Sequence, residues 1–151
     1  MKKLVLILSI FFFHSLQAEE FLGIPKVVDG DTIYIASNKI RLKDIDAPEM
    51  KQKCERGKVD YFCGIEAKNQ LKKKINMSKI KCISSGKDRY NRYLATCFKE
   101  NINLNKWMVR NGFALAYRRY SKSYIEDENF AKDSNLGLWA GSFITPEKWR
   151  K

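Results

Sequence analysis

Histidine is nearly missing from this chain: one occurs among 151 residues, at position 14. That position lies in an N-terminal stretch that reads as a removable leader, so the working chain is expected to contain no imidazole. Ser-His-Asp and Cys-His nucleophilic mechanisms are thereby excluded, and so is hydrolysis with a histidine general base. A zinc site would have to be built from cysteines and carboxylates alone. Long apolar runs are absent too; none reaches the 18 or so residues that a membrane span requires. Only three prolines occur, well separated, and there is no repeat or low-complexity linker. Acids are scarce relative to bases, 17 against 29, for a formal charge of +12. That imbalance predicts a polyanionic partner, either nucleic acid or an acidic membrane surface, and says nothing about fold. What the chain does have is core-forming material: 44% of residues are hydrophobic, which rules out wholesale disorder, and the length suits one domain.

Residues 1–18 read as a secretory signal. Lys2 and Lys3 supply the positive start, Leu4 to Phe13 the apolar stretch and His14 to Ala18 the polar exit, with cleavage expected after Ala18. Leu16 is larger than the residue usual two positions before a cut, and an uncleaved membrane anchor is the alternative. Losing Lys2 and Lys3 with the leader takes the formal charge from +12 to +10. The mature protein, residues 19–151, is then a single secreted or periplasmic domain with no membrane span, expected to be a monomer.

Four cysteines remain after the leader: Cys54, Cys63, Cys82 and Cys97. An even count in an exported chain suggests two disulfides, although three pairings are possible. Spacings of 9, 19 and 15 do not resemble the close pairs of a zinc Cys₄ site. The preferred reading pairs Cys54 with Cys63 as a loop staple and Cys82 with Cys97 as a link between strands; reactive thiols are the alternative.

Strands are expected at Ile24–Val28, Thr32–Ile35, Ile40–Ile45, Lys79–Ser84 and Leu94–Phe98, where β-branched and aromatic residues gather. A hairpin turn at Ser37–Asn38 would pair Ala36 with Lys39, and so set Ile33 opposite Leu42 and Ile35 opposite Ile40 on one face. Ser85–Arg92 is read as a polar loop. Helices are expected at Gly64–Ile75, with Ala67, Leu71 and Ile75 four apart, at about Ile102–Asn111 before Gly112, and at about Tyr124–Leu136 before Gly137. The sum is an α+β fold, a five-stranded OB-fold barrel with about three α-helices.

Acidic residues crowd two short segments, Asp29-Gly30-Asp31 and Asp44-Ile45-Asp46-Ala47-Pro48-Glu49. The hairpin register above would set Asp31 opposite Asp44 and Asp29 opposite Asp46. Carboxylates held this close repel unless something positive lies between them, and a hard cation such as Ca²⁺, which takes carboxylate and carbonyl oxygens, answers that need. Asp29-Gly30-Asp31 by itself could be only a turn, and Asp44 by itself a surface charge beside Lys43. An EF-hand starting at Asp29 fails, because its twelfth position is Ile40. Arg41 and Arg92 are candidates for gripping a phosphate through paired hydrogen bonds. Strand alternation points Arg41 away from Asp31 and Asp46, so a bend or bulge near Lys43 is required.

Val28-Asp29-Gly30-Asp31-Thr32, Ile40 through Glu49, Asp88-Arg89-Tyr90-Asn91-Arg92, Trp107 through Ala114 and Gly137-Leu138-Trp139 together resemble the staphylococcal nuclease (thermonuclease) family. The resemblance covers roughly Ile24 to Trp149. It implies an OB-fold nuclease that uses Ca²⁺ to cleave DNA and RNA and leaves 3′-phosphate ends. By position it makes Asp31 and Asp46 metal ligands, with Ala47 supplying a backbone carbonyl. Glu49 becomes the general base or water-orienting carboxylate, Arg41 and Arg92 the phosphate-holding residues, and Tyr90 and Tyr117 the nucleotide contacts. Two departures stand out: Ala47 replaces a threonine, and the Cys54–Cys63 insertion lies beside the site. Lys72, Lys73 and Lys74 read as a solvated helix face that could extend a phosphate track. A non-catalytic nucleic-acid-binding barrel is the rival reading, and a secreted Ca²⁺-dependent adhesion module a third that gives the arginines no role.

Overall fold

The computed structural model of the protein describes residues 18–151. The leader through Gln17, His14 with it, lies outside the described residues. From there the chain runs β1 (Glu20–Gly23), β2 (Lys26–Val27), β3 (Thr32–Ile35), β4 (Asn38–Leu42) and β5 (Ile45–Asp46). A hairpin of β6 (Lys53–Arg56) and β7 (Val59–Phe62) leads into α1 (Cys63–Ile75). Next come β8 (Ile80–Lys87), β9 (Tyr93–Lys99), β10 (Ile102–Asn103), α2 (Leu104–Arg110) and β11 (Leu115–Ala116). The chain closes with α3 (Ile125–Asp133), a 3₁₀ turn at Gly137–Ala140 and the single turn of α4 (Pro146–Trp149).

The class is the expected α+β. The main sheet is ordered β1-β8-β9-β4-β3-β2, with β10 added on β9. Five contiguous members, β8, β9, β4, β3 and β2, correspond to the five strands read from the sequence, although Ile24–Val28 shortens to Lys26–Val27 and Ile40–Ile45 breaks after Leu42; the arrangement is consistent with an OB fold. All neighbours are antiparallel except β4 and β9, which pair in parallel. That exception matters for the site, because Ile40 pairs with Tyr93 and so brings Arg92 alongside β4.

The β3–β4 hairpin keeps the expected face but not the expected register. Ile33 pairs with Ile40 and Ile35 with Asn38, so the loop is Ala36–Ser37. Ala36 takes the positive φ of 52° that a tight hairpin turn needs, and Asn38 joins the strand instead. A shift of two residues preserves side-chain parity, so Ile33, Ile35, Ile40 and Leu42 are still all buried in the core. Against them α1 lays Ala67, Leu71 and Ile75, and α2 lays Leu104 and Met108. Each fully buried aliphatic side chain of this kind contributes about 1.5–3 kcal/mol.

β8 extends past Ser84 through a bulge to Lys87, which shortens the expected polar loop to Asp88–Arg92. The third helix stops at Asp133, three residues earlier than the periodicity suggested, and Asn135 then turns the chain with φ 51°. Gly112 terminates α2 as read, in a left-handed conformation with φ 72°; a Cβ there would strike the Leu136 carbonyl oxygen at 2.1 Å.

Both disulfides form as preferred. Cys82 and Cys97 are direct partners across β8 and β9, with Cα atoms 4.0 Å apart. Cys54 and Cys63 join β6 to the first residue of α1. This second bridge belongs to a smaller apolar cluster with Leu115, Leu138, Trp139 and Phe143.

Candidate active site

The bend that Arg41 requires is a two-residue turn, Lys43–Asp44, in which Asp44 has φ 65°. Hydrogen bonds from neighbouring elements hold it, and the Lys43 N–H itself donates to the Ala95 carbonyl at 2.9 Å. The buried Asn105 amide donates to the Lys43 and Ala95 carbonyls at 3.0 Å each, and the Tyr117 N–H donates to the Asp44 carbonyl at 2.9 Å. The chain thereby doubles back, and β5 pairs with β11 through Asp46 and Leu115. Arg41 stays in β4, opposite Thr32, yet its guanidinium reaches the returning segment and donates to the Ile45 carbonyl at 3.1 Å.

Asp31 and Asp46 meet around this guanidinium and not through the hairpin register. Arg41 Nη1 lies 2.5 Å from Asp31 Oδ2 and Nη2 lies 3.5 Å from Asp46 Oδ1. The expected pairing of Asp31 with Asp44 and Asp29 with Asp46 does not occur, since the shifted register sets Leu42 beside Asp31; the Leu42 N–H donates to the Asp31 carbonyl at 2.8 Å. Asp31 Oδ2 also accepts the Ala47 N–H at 2.9 Å, which ties the two acidic segments together. Gly30 permits that approach: a Cβ there would fall 2.6 Å from Ala47 Cβ and 2.9 Å from Ala67 Cβ.

Electrostatics reflect the crowding. Burial, then the neighbouring Asp31 charge, pushes the Asp29 carboxyl up to about 6. Burial raises Asp46 as well, and the arginines beside it offset only part of that rise. Asp46 is 3% exposed.

A cleft of about 760 Å³ contains Asp29, Asp31, Arg41, Asp44, Ala47, Glu49, Tyr90, Arg92 and Tyr117 in its lining. Every sequence-predicted catalytic and substrate-binding residue therefore faces one space. Arg92 enters the lining from the loop after β8, where its Nε and Nη2 both contact Asp88 Oδ2 at 2.8 Å. Tyr90 is exposed beside it, with its ring 5.4 Å from the Arg92 guanidinium carbon. Tyr117 packs edge-on against Tyr120 with centroids 4.9 Å apart. Lys72 and Lys73 are exposed in the last turn of α1, Lys74 lies over the Trp107 ring, and all three lie outside this cleft.

Asp46 is the exception, because it lines a neighbouring cleft of about 350 Å³ instead. Its carboxylate is engaged by Arg150, a residue that the sequence reading missed. Its Nη1 donates to Asp46 Oδ1 at 3.0 Å and to Glu49 Oε1 at 2.9 Å, while Nη2 donates to Asp46 Oδ2 at 3.0 Å. Burial works against the Arg150 charge, but bonds to these two carboxylates outweigh it and raise the pKa further. Sequence offered no local signal, since Arg150 lies 101 and 104 residues from its partners. Asp88 was also missed, although its i, i+4 spacing to Arg92 was a usable clue.

The donor chemistry suits a hard divalent cation. Asp31 and Asp46 are buried carboxylates, the Ala47 backbone lies between them, and all four cysteines are consumed by disulfides. Among the described residues the acids form no ready cage; guanidinium groups bridge them instead.

Comparisons with known proteins agree. The profile of the family described as "Staphylococcal nuclease homologue" matches residues 39–141. The chain is 37% identical over 127 residues to a protein of Rhizobium meliloti named "Succinoglycan biosynthesis protein ExoI", covering 81% of this chain and 66% of that one. It is 33% identical over 136 residues to a Haemophilus influenzae protein named "Uncharacterized endonuclease", covering 85% and 71%. A protein of Escherichia coli O157:H7 with that same name is 31% identical over 157 residues, covering 99% and 97%. The matched span runs from β4 through the 3₁₀ turn and so contains Arg41, Asp46, Glu49 and Arg92; by profile and by near full-length likeness, this chain belongs to the staphylococcal nuclease family.

Proposed function

We propose that this protein is an exported, Ca²⁺-dependent nuclease that hydrolyses phosphodiester bonds of DNA and RNA with little sequence preference and leaves 3′-phosphate ends. The observation that carries the reading is the single cleft whose lining holds Asp31, Glu49, Arg41 and Arg92 together. Nuclease chemistry is what the family and the relatives named endonuclease support, and the family is generally metal-dependent. Calcium itself, the end product and export belong to the proposal. Among the described residues no helix is long and apolar enough to cross a membrane.

Asp31, Asp46 and the Ala47 carbonyl would hold the cation, which when bound supplies Lewis acidity toward a phosphoryl oxygen. The remaining work falls to the chain's own side chains. Arg41 and Arg92 receive the phosphodiester and offset the charge that grows on it in the transition state, from donors already in place. Glu49 takes the proton of the attacking water, a role worth about 10²–10⁴-fold, as the P–O5′ bond breaks and the departing 5′ oxygen takes a proton from solvent. Exposed Tyr90 and the Tyr117–Tyr120 pair offer ring faces to bases, which stack without regard to sequence. A surface this basic draws in polyanions, so affinity falls steeply with salt.

Purified mature protein incubated with plasmid DNA, in excess Ca²⁺ and in excess chelator, tests the reading. Cleavage in calcium alone, with 3′-phosphate termini, is the expected result. Equal cleavage with chelator overturns the metal assignment, and retention of DNA without cleavage in either tube establishes the non-catalytic binding module instead.

A further inference from the structure

We propose that Arg150 is a positioning residue of the active site: it holds the Glu49 and Asp46 carboxylates together and yields Asp46 to the divalent cation. The proposal rests on the reading of those acids given above. Its guanidinium engages both oxygens of Asp46 and one of Glu49, three charge-assisted bonds from one planar fork. Asp46 is almost wholly buried, and the Arg150 fork is the partner that meets both of its oxygens.

The arm that delivers Arg150 is fastened for the purpose. Ser142 and Glu55 exchange backbone hydrogen bonds of 2.9 and 3.0 Å. Two residues on, the Ile144 carbonyl accepts a 2.6 Å bond from Gln52 Nε2. Pro146 then opens α4, whose last turn is closed by the Arg150 N–H donating to the Pro146 carbonyl at 3.1 Å. Gln52 is fully buried, and its Oε1 accepts the Glu49 N–H at 3.2 Å. One buried amide therefore fixes both the backbone of Glu49 and the arm that aims a guanidinium at its carboxylate. An incidental surface ion pair would need no such support.

A consequence follows for cation binding. While Arg150 occupies both Asp46 oxygens, that carboxylate is available to a metal ion only for the fraction of time the guanidinium is displaced, and apparent affinity is reduced by that fraction. The price of orientation is a weaker cation site.

Wild type, Arg150→Ala, Arg150→Lys and the neighbouring control Lys151→Ala are compared. Ca²⁺ affinity is measured by calorimetry on metal-free protein without nucleic acid; kcat and KM are measured on an oligonucleotide at saturating Ca²⁺. Arg150→Ala is expected to bind Ca²⁺ about fivefold or more tightly. Its kcat should fall about tenfold or more while KM changes by less than about threefold. Arg150→Lys, which keeps the charge but loses the fork, falls between wild type and Arg150→Ala on both measures and carries the test should the alanine variant not fold. Lys151→Ala matches wild type. Unchanged or weaker Ca²⁺ binding in Arg150→Ala, or a kcat within about twofold of wild type, overturns the proposal, as does loss shared equally by kcat and KM without lysine rescue. Wild type that neither binds Ca²⁺ nor cleaves sinks the parent reading; wild type that does both while Arg150→Ala behaves identically sinks this inference alone.

Discussion

Asp88 is the template on which Arg92 is mounted. One carboxylate oxygen accepts the backbone N–H groups of Tyr90 at 2.9 Å and Arg92 at 3.0 Å. The other receives the Arg92 side chain through Nε and Nη2, each at 2.8 Å. A single acid thus shapes the loop and sets the direction of the guanidinium that faces the cleft. Replacing it with alanine leaves Arg92 in the sequence but not in position. Turnover in the presence of Ca²⁺ should drop about tenfold, with DNA affinity much less affected, as a steady-state split of kcat from KM will reveal.

The same acid has a pH signature. Burial pushes the Asp88 carboxyl up, but the hydrogen bonds from Arg92 and Tyr90 outweigh it and leave the pKa below its ordinary 3.8. A carboxyl depressed in the folded state stabilises fully above the unfolded value, and that contribution disappears as pH falls through the folded one. Asp88→Asn should therefore melt below wild type at neutral pH, and the gap should close in melts taken progressively below pH 3.8. A gap that is constant with pH contradicts the assignment.

Gly30→Ala tests how tightly the acidic segments are packed. The new methyl would meet the side chains of Ala47 and Ala67 at 2.6 and 2.9 Å. Neither can retreat far, since Ala47 is 3% and Ala67 1% exposed. Overpacking of this sort costs about 1–3 kcal/mol, and the displaced Asp31 should weaken Ca²⁺ binding as well. Denaturant melts and calcium titration of the variant read the two effects separately.

Much of this was legible in the chain. Period-two alternation placed Ile33, Ile35, Ile40 and Leu42 on the core face, and period-four spacing placed Ala67, Leu71 and Ile75 there. Register was harder, because Ala36–Ser37 carries weak turn chemistry and a two-residue slip leaves every side chain on its proper face. Arg41 looked misdirected because alternation describes a straight strand, whereas the chain folds back at Lys43–Asp44. Arg150 was invisible for a different reason: its role exists only once a distant arm is docked, and before that it is one base among 29.

The two disulfides should separate stability from function. Each ought to contribute about 2–4 kcal/mol by restricting the unfolded chain. Cys82–Cys97 lies between β8 and β9, away from the cleft lining, so its double alanine variant should lose stability while keeping kcat when assayed well below its melting temperature. Cys54–Cys63 differs because the Cys63 N–H donates to the Gln52 carbonyl at 3.1 Å, and Gln52 holds Glu49. Removing that bridge should lower kcat as well as the melting temperature.

Glu49→Gln is the sharpest substitution at the reaction centre. Glutamine keeps the shape of the side chain, and its carbonyl oxygen can still accept from Arg150, which lies 2.9 Å from Glu49 Oε1. What it cannot do is take a proton. The side chain of Glu49 is 38% exposed, so the exchange leaves no buried donor stranded and stability should change little. Asp31 and Asp46, the carboxylates assigned to the cation, are themselves untouched. Cleavage, by contrast, should slow by about 10²–10⁴-fold, with oligonucleotide affinity preserved. Rates near those of wild type would remove Glu49 from proton transfer and leave it, with Arg150, a purely structural pair at the edge of the cleft.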